Sequence, residues 1–169
     1  MFRSNHFCQT ALITIINEWI SAIDNNEIAG TLFIDLSKAF DLANYNILLE
    51  KLKLYGMHES TVKWFSSYLK DIYQQTYLSG TLSNCCKAVS GVPQCSVLGA
   101  TLFLVYINDL TLVLRVCIAD IVADDSTISA HNKNIDQVAS TLSDELQRVI
   151  KWCENNLMAI NISKLNLCM

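Results

Sequence analysis

Proline and glycine are scarce in this sequence. Its 169 residues include one proline and five glycines, too few for a disordered linker or a low-complexity array. The longest uncharged apolar run, residues 97–107, is too short to span a bilayer, and the first residues lack the basic flank and apolar segment of a signal peptide. We therefore expect one domain with a substantial core and no membrane partner.

The cysteines, the histidines and the net charge also lack familiar patterns. The seven cysteines are an odd number without a Cys-x-x-Cys pair, and the three histidines are scattered along the chain. This favours reduced thiols in an intracellular protein over a disulfide framework or a zinc site. The net charge of −4 lacks the basic excess of a free-standing nucleic-acid-binding protein. If this chain handles nucleic acid, basic surface must come from elsewhere.

Apolar residues recur at helical spacing in five segments. The predicted helices are residues 8–23, 46–55, a helix capped by Ser60, 97–110 capped by Ser96, and 135–157. In the third helix, an aromatic-rich stripe that includes Trp64 is expected to face the core. In the last helix, Glu145 and its polar neighbours are expected to face solvent.

Short runs rich in β-branched or aromatic residues predict the strands. They are residues 29–34, 74–78, 87–89, 113–119, 127–130 and 158–162, with a hairpin around residues 79–80. Residues 37–41 are expected to form a turn that leads into irregular structure. Because most of the strands follow one another in antiparallel hairpins, we expect an α+β fold, a mostly antiparallel sheet with helices packed on one face.

Three aspartates end or join these predicted strands. Asp35 follows strand 29–34, and the adjacent Asp124 and Asp125 fall in the tight turn between strands 113–119 and 127–130. A solvated acidic turn would by itself explain the pair. If the strands are neighbours, however, three carboxylates converge, as two divalent cations about 3.5–4 Å apart require. Mg²⁺ suits such a site because it takes oxygen ligands and leaves room for phosphates, and Mn²⁺ is the other candidate.

Four sequence blocks, in order, carry a resemblance to a known family. They read FIDLSKAFD at residues 33–41, GVPQCSVLG at 91–99, VADD at 122–125, and a final block with Trp152, Asn156, Asn161 and Lys164. Over nearly its whole length the chain resembles the palm of a reverse transcriptase of the non-LTR (LINE or jockey-like) retrotransposon type. The resemblance implies that residues 1–169 are a partial reverse transcriptase domain, the end of the fingers plus the palm, without most of the fingers and all of the thumb.

The resemblance implies an RNA-directed DNA polymerase of a mobile element. Its partners would be an RNA template, a DNA primer, deoxynucleoside triphosphates and the remainder of a longer polyprotein, in the nucleus or cytoplasm. Asp35, Asp124 and Asp125 would be the catalytic Mg²⁺ ligands. Lys164 would protonate the leaving pyrophosphate, although a lone surface lysine is also explained by solvation alone.

The resemblance also implies a set of substrate-binding residues. Phe40 would crowd the sugar 2′ position and so favour deoxynucleotides, although a place in the core would explain it equally well. Gln94 would help to hold the incoming nucleotide through its amide. Leu36 and Ser37, from the same block as Asp35, would contact the substrate.

Four positions depart from the family's pattern: Cys95 replaces a glycine, Ala100 a proline, Val122 an aromatic residue and Leu165 a threonine. If the backbone at Cys95 needs a positive φ, the cysteine side chain lowers the stability by about 1 kcal/mol or more.

Because of these departures, a second hypothesis is a truncated, catalytically inactive remnant of such an element. A third is an unrelated α+β interaction domain whose acidic turn is only solvated.

Overall fold

The computed structural model describes residues 8–94, 96–122 and 125–169, with residues 8–11, 118–122 and 125 as backbone only. The described residues divide into two compact units. The sheet unit comprises those within Met1–Ser37 and Asp109–Met169, and the helical unit is Lys38–Asn108.

Regular elements account for most of the described chain. The helices are α1 (Cys8–Asp24), α2 (Ala39–Leu42), α3 (Tyr45–Leu54), α4 (Glu59–Lys70), α5 (Val97–Ile107) and α6 (Ile135–Asn155), with 3₁₀ helices at Asn108–Val113 and Ile162–Lys164. The strands are β1 (Ile28–Asp35), β2 (Tyr73–Gln74), β3 (Tyr77–Leu78), β4 (Thr81–Leu82), β5 (Cys86–Lys87), β6 (Ile118–Val122), β7 (Asp125–Asn132) and β8 (Asn166–Cys168). No helix among the described residues has the length and hydropathy that crossing a membrane requires.

The sheet unit is built on one antiparallel sheet with the strand order β6-β7-β1-β8. Side chains alternate along β1, so Gly30 faces one side of the sheet and Asp35 the other. Helix α6 covers the side of Gly30, where an added Cβ would lie 2.5 Å from Val138 Cγ1 and 2.9 Å from Leu142 Cδ1. Glycine therefore permits the close approach of α6, and Asp35 is left on the opposite side of the sheet.

Helix α1 adds one contact on the other side of the sheet. The Trp19 indole nitrogen donates a hydrogen bond of 2.9 Å to the Thr31 hydroxyl, which lies on the same side of β1 as Asp35. The predicted α+β class and the mostly antiparallel sheet are both confirmed.

Helix α6 confirms its predicted apolar face but not the predicted position of Glu145. This residue was expected in solvent, yet it is only 1% exposed. Its carboxylate accepts hydrogen bonds of 3.2–3.3 Å from the backbone N–H groups of Arg115 and Val116. Glu145 lies three residues after Leu142 and four before Val149, so helical spacing places it on the buried face, where backbone donors satisfy its charge.

The same contact explains why the strand predicted at residues 113–119 is wrong over residues 113–117 and begins later. A 3₁₀ helix covers Asn108–Val113, bends follow, and β6 begins only at Ile118. Because Glu145 binds the N–H groups of Arg115 and Val116, those groups do not join the sheet. Residues 158–162 are likewise no strand: Ile160 forms only an isolated bridge to Leu36, and β8 starts at Asn166.

In the helical unit, the predicted helices are present with two changes of detail. His58 caps α4 instead of Ser60, because the His58 ring nitrogen accepts the Ser60 backbone N–H at 3.3 Å. On α4, Phe65 is buried but Trp64 is 57% exposed and stacks on the neighbouring Tyr68 ring. The apolar stripe is therefore narrower than predicted, with Trp64 at the surface.

The segments around α4 and α5 combine confirmed and corrected predictions. Residues 39–42 form the short helix α2 where irregular structure was expected. The hairpin around residues 79–80 is present, but its strands are split into the pairs β3–β4 and β2–β5. The Ser96 hydroxyl caps α5 as predicted, since it accepts the Gly99 backbone N–H at 2.9 Å.

The five cysteines with described side chains are all free thiols: Cys85, Cys86, Cys117, Cys153 and Cys168. Burial is the main cause that raises the pKa of Cys117 and of Cys153 to about 11. These two thiols therefore stay protonated at neutral pH, which suits a structural role for the buried Cys153 and the half-buried Cys117.

Replacing Glu145 by alanine should destabilise the protein although the residue is charged. The change leaves the backbone N–H groups of Arg115 and Val116 without an acceptor and creates a cavity where the side chain was. The free energy of unfolding is therefore expected to fall by about 1–3 kcal/mol. Urea unfolding at neutral pH measures this. Asp144→Ala, at an exposed neighbouring position on α6, should change stability by less than about 0.5 kcal/mol. Equal effects of the two changes would contradict the assigned role of Glu145.

Candidate active site

Asp35 and Asp125 are brought together at the level of the backbone. Asp35 is the last residue of β1 and pairs in register with Asp125, the first residue of β7. Asp125 also pairs with Val122 of β6, so it belongs to a strand and not to the turn in which it was expected. Asp124 and the side chain of Asp125 lie outside the described residues, so the convergence of three carboxylates remains a prediction.

The Asp35 carboxylate has two side-chain partners from the segment that follows α6. The residue is 9% exposed. Its Oδ2 accepts a hydrogen bond of 2.9 Å from the Asn161 amide, and its Oδ1 accepts one of 3.2 Å from the Lys164 ammonium. The Asn161 backbone N–H also donates to the Asp35 carbonyl at 2.8 Å. Asp35 is therefore held by one neutral and one cationic donor.

A short 3₁₀ helix explains why both partners reach the same carboxylate. Asn161 caps the 3₁₀ helix Ile162–Lys164, and the Lys164 backbone N–H donates to the Asn161 carbonyl at 3.0 Å. Side chains three residues apart eclipse in this geometry, so Asn161 and Lys164 extend to the same side. The Ser163 hydroxyl donates to Asn161 Oδ1 at 2.7 Å, which orients the amide nitrogen toward Asp35.

These contacts lower the pKa of Asp35. The Asn161 hydrogen bond is the largest cause, and the hydrogen bond and positive charge of Lys164 add to it, while burial opposes them. Asp35 is therefore ionised at neutral pH, as a ligand for a cation must be. Sequence reasoning assigned Asn161 no role, although its spacing of three residues from Lys164 was visible.

Phe40 and Gln94, the two predicted nucleotide-binding residues, lie in the helical unit. The half-buried Phe40 ring stacks on the buried Phe103 ring, with the centroids 4.4 Å apart. The exposed Gln94 donates a hydrogen bond of 3.2 Å from Nε2 to Asp41 Oδ1. A carboxylate only accepts hydrogen bonds, so the Gln94 carbonyl must be the end of the amide that faces away from Asp41.

The loop that carries Gln94 is bound closely to α2. Gly91 has a φ of +89°, and a Cβ there would lie 2.8 Å from the Asp41 carbonyl oxygen. The Gly91 N–H donates to the Ala43 carbonyl and the Val92 N–H to the Phe40 carbonyl, both at 2.8 Å. Glycine is thus required at position 91. Cys95 lies outside the described residues, so the strain expected there remains a prediction.

Leu36 and Ser37, the remaining predicted substrate-binding residues, follow Asp35 directly. Leu36 as a whole is 2% exposed, so in this structure it offers almost no surface to a substrate. Ser37 is half-buried, and its N–H donates to the Ala159 carbonyl at 2.8 Å. Both residues help to bind the segment after α6 to the end of β1.

The described side chains contribute one ionised carboxylate, that of Asp35, to the predicted metal site. Within residues 12–94, 96–117 and 126–169, whose side chains the structure describes, no three His, Cys, Asp or Glu side chains form a group that could hold a metal ion. Asp35 already binds a cation, the Lys164 ammonium. Hard cations prefer oxygen ligands of this kind, so Asp35 fits the predicted role, and Asp124 with Asp125 would complete the set.

Replacing Asn161 by alanine should raise the pKa of Asp35, because it removes the hydrogen bond that lowers it most. A carbon-13 NMR titration of the Asp35 carboxyl carbon in chelator-treated protein measures the change.

The folded-state pKa of Asp35 lies below the usual 3.8, so the ionised carboxylate stabilises the fold above that value. This contribution to stability is lost as the pH falls through the folded-state pKa. The acid-dependent part of the stability should therefore shrink in Asn161→Ala.

Ser163→Ala is the matched control for that titration. It removes a neighbour of Asn161 and leaves the amide donor to Asp35 in place, so it should shift the pKa less than Asn161→Ala does. An Asp35 pKa that is the same in Asn161→Ala and in the parent chain would contradict the assigned cause.

Comparison with solved structures relates the fold to that of a polymerase. Telomerase from Candida albicans superposes with a TM-score of 0.67 at 17% sequence identity, over 97% of this chain and 32% of that chain. At this identity the likeness concerns the fold alone, and it confirms the predicted α+β polymerase palm.

Comparison of sequences shows the family. Residues 2–169 match the family model described as reverse transcriptase (RNA-dependent DNA polymerase). The RNA-directed DNA polymerases from mobile element jockey of Drosophila melanogaster and Drosophila funebris are 32% and 26% identical, each over 96% of this chain. The chain spans 18% of the length of each of these relatives. It belongs to the reverse transcriptase family, as a domain of the non-LTR retrotransposon type.

Proposed function

We propose that this chain is the palm of an RNA-directed DNA polymerase of a mobile element, which adds deoxynucleotides to a primer 3′-OH on an RNA template. The observation that carries the proposal is the pairing of Asp35 with Asp125, next to Asp124 in the sequence, in a chain of this family. Since the chain spans 18% of its jockey relatives, the remainder of a longer protein would supply fingers, thumb and further nucleic-acid contacts.

Asp35, Asp124 and Asp125 would hold divalent metal, with Mg²⁺ as the first candidate and Mn²⁺ as a substitute. When bound, the metal would activate the primer hydroxyl and neutralise charge on the phosphates. The low pKa of Asp35, caused first by Asn161, supports this because the carboxylate needs no deprotonation before it binds a cation.

Lys164 would act on the leaving pyrophosphate. Its ammonium lies 3.2 Å from Asp35 Oδ1, while its side chain is 64% exposed. An ammonium on a flexible stem beside the metal-binding carboxylate can approach a phosphate and donate a proton to it. The short 3₁₀ helix keeps the base of this side chain near Asp35.

Phe40 and Gln94 would select and hold the nucleotide. The stack on Phe103 fixes the Phe40 ring, and a fixed ring can exclude a 2′-hydroxyl by its volume. The bond from Gln94 to Asp41 leaves the Gln94 carbonyl to accept a hydrogen bond from the nucleotide. The backbone bonds between the Gln94 loop and α2 would keep the two side chains at a constant separation.

Primer extension tests the proposal. A labelled DNA primer on an RNA template is incubated with deoxynucleoside triphosphates and Mg²⁺, then Mn²⁺, and the chain is compared with Asp124→Asn. Loss of a metal ligand should lower extension by about 100-fold or more. Asp136→Asn, an exposed position on α6, is the control and should retain activity.

The outcomes separate the hypotheses. Equal extension by the chain and by Asp124→Asn would contradict the assignment of the acidic pair. No extension by any of the three proteins would instead favour the inactive remnant, in which family membership persists without catalysis, unless extension appears once fingers and thumb are restored.

A second prediction concerns the sugar of the nucleotide. Phe40→Ala should reduce the preference for deoxynucleotides over ribonucleotides by about tenfold or more, because the volume that excludes the 2′-hydroxyl is lost. The ratio of kcat/KM for a deoxynucleotide and for its ribonucleotide measures this. Phe40→Tyr keeps the ring and should keep the preference. An unchanged ratio in Phe40→Ala would assign Phe40 to the core alone.

A further inference from the structure

The two oxygens of Asp35 have chemically different partners. Oδ2 accepts a hydrogen bond from the neutral Asn161 amide, which is itself fixed by Ser163 and by the backbone bond to Asp35. Oδ1 accepts one from the charged Lys164 ammonium. One oxygen thus has a fixed neutral partner, whereas the other has a cation on a flexible side chain.

We infer that Lys164 and a divalent cation exchange at Oδ1 of Asp35, so that metal binding releases the Lys164 ammonium from the carboxylate. The inference rests on the proposed metal-binding role of Asp35 and assigns Lys164 a second task before any reaction. Until metal binds, the positive charge of Lys164 compensates the negative charge of the largely buried Asp35 carboxylate. Asp35 pairs in the sheet with Asp125, which follows Asp124 in the sequence.

Exchange is favoured over joint occupancy by charge. A divalent cation on Oδ1 would repel an ammonium at hydrogen-bond distance from the same oxygen, and its double charge is attracted to the Asp35 carboxylate more strongly than the single charge of Lys164 is. The Lys164 side chain is 64% exposed, so its ammonium is hydrated again when it leaves Asp35. The divalent cation takes over the compensation of the buried carboxylate, so the exchange does not leave the Asp35 charge unpaired.

The backbone determines where the released side chain stays. The Lys164 N–H is bonded to the Asn161 carbonyl, and the Asn161 N–H is bonded to the Asp35 carbonyl. Neither bond involves Oδ1, so the 3₁₀ helix can keep its place when the ammonium moves. Metal binding would thus convert Lys164 from a partner of Asp35 into a free cation beside the metal, where the phosphates of a nucleotide would lie.

Metal affinity tests the exchange without any polymerase reaction. Lys164→Met removes the charge and keeps a long side chain. Its matched control is Lys151→Met, since the Lys151 ammonium lies 3.1 Å from Glu154 on α6 and the net charge changes equally. Mg²⁺ binding is measured by calorimetry and Mn²⁺ binding by electron paramagnetic resonance, on chains without primer, template or nucleotide.

Lys164→Met should bind both cations about two- to tenfold more tightly than the parent chain, the range expected when a weak competing ion pair is removed. Lys151→Met should stay within about twofold of the parent. Equal or weaker binding by Lys164→Met, or no metal binding by either protein, overturns the inference.

Chemical labelling of the unmodified chain gives a second measurement. An amine-reactive reagent is applied with and without Mg²⁺, and the modification of each lysine is followed by peptide mass spectrometry. The rate at Lys164 should rise with Mg²⁺ while the rate at Lys151 stays constant, and an unchanged or lower rate at Lys164 contradicts exchange. Because no catalysis is involved, a chain that shows exchange but no primer extension, even with fingers and thumb restored, would reject the proposed function alone.

Discussion

The antiparallel pairing of β1 with β7 is the constraint on which the sheet unit depends. It runs without a break from Ile28–Asn132 to Asp35–Asp125. Side chains alternate between the two sides of a sheet, so a slip of one residue would turn Asp35 toward α6 and away from Asn161 and Lys164. The close packing of α6 over Gly30 and the hydrogen bond of 3.2 Å between Thr31 and Ser129 both hold the register.

The environment of Asp35 is a balance between burial and compensation. Burial opposes its ionisation, and the Asn161 and Lys164 contacts outweigh burial. The charges behind the net value of −4 are unevenly distributed along the chain. Residues 38–108 contain six lysines and four carboxylates, whereas the remaining residues contain six basic and twelve acidic side chains. The excess of negative charge thus belongs to the unit that carries the proposed metal site.

Local sequence patterns predicted the helices and strands whose apolar residues recur at regular spacing. Helix α6 was expected at residues 135–157 and is found at Ile135–Asn155, and β1 was expected at residues 29–34 and is found at Ile28–Asp35. Helical spacing alone places Glu145 on the buried face, and its charge misled the prediction, because the backbone donors that satisfy it lie about thirty residues away. The displaced start of β6 follows from the same contact between distant segments.

The candidate site shows the same division. The acidic residues and Lys164 were visible as motif positions. The role of Asn161 was not, because this residue precedes a 3₁₀ helix at Ile162–Lys164, whereas a strand was predicted at residues 158–162. A propensity scale sees the β-branched residues of 158–162 and not the carboxylate to which that segment is bound.

The bonded contact between the Gly91 loop and α2 has a consequence for how such a sequence can diverge. The two segments lie about fifty residues apart in the chain, yet their backbones are joined by hydrogen bonds and by a contact that admits no Cβ at position 91. A shift of either backbone must be matched by the other. A substitution that displaces the backbone of one block is therefore expected to move both Phe40 and Gln94.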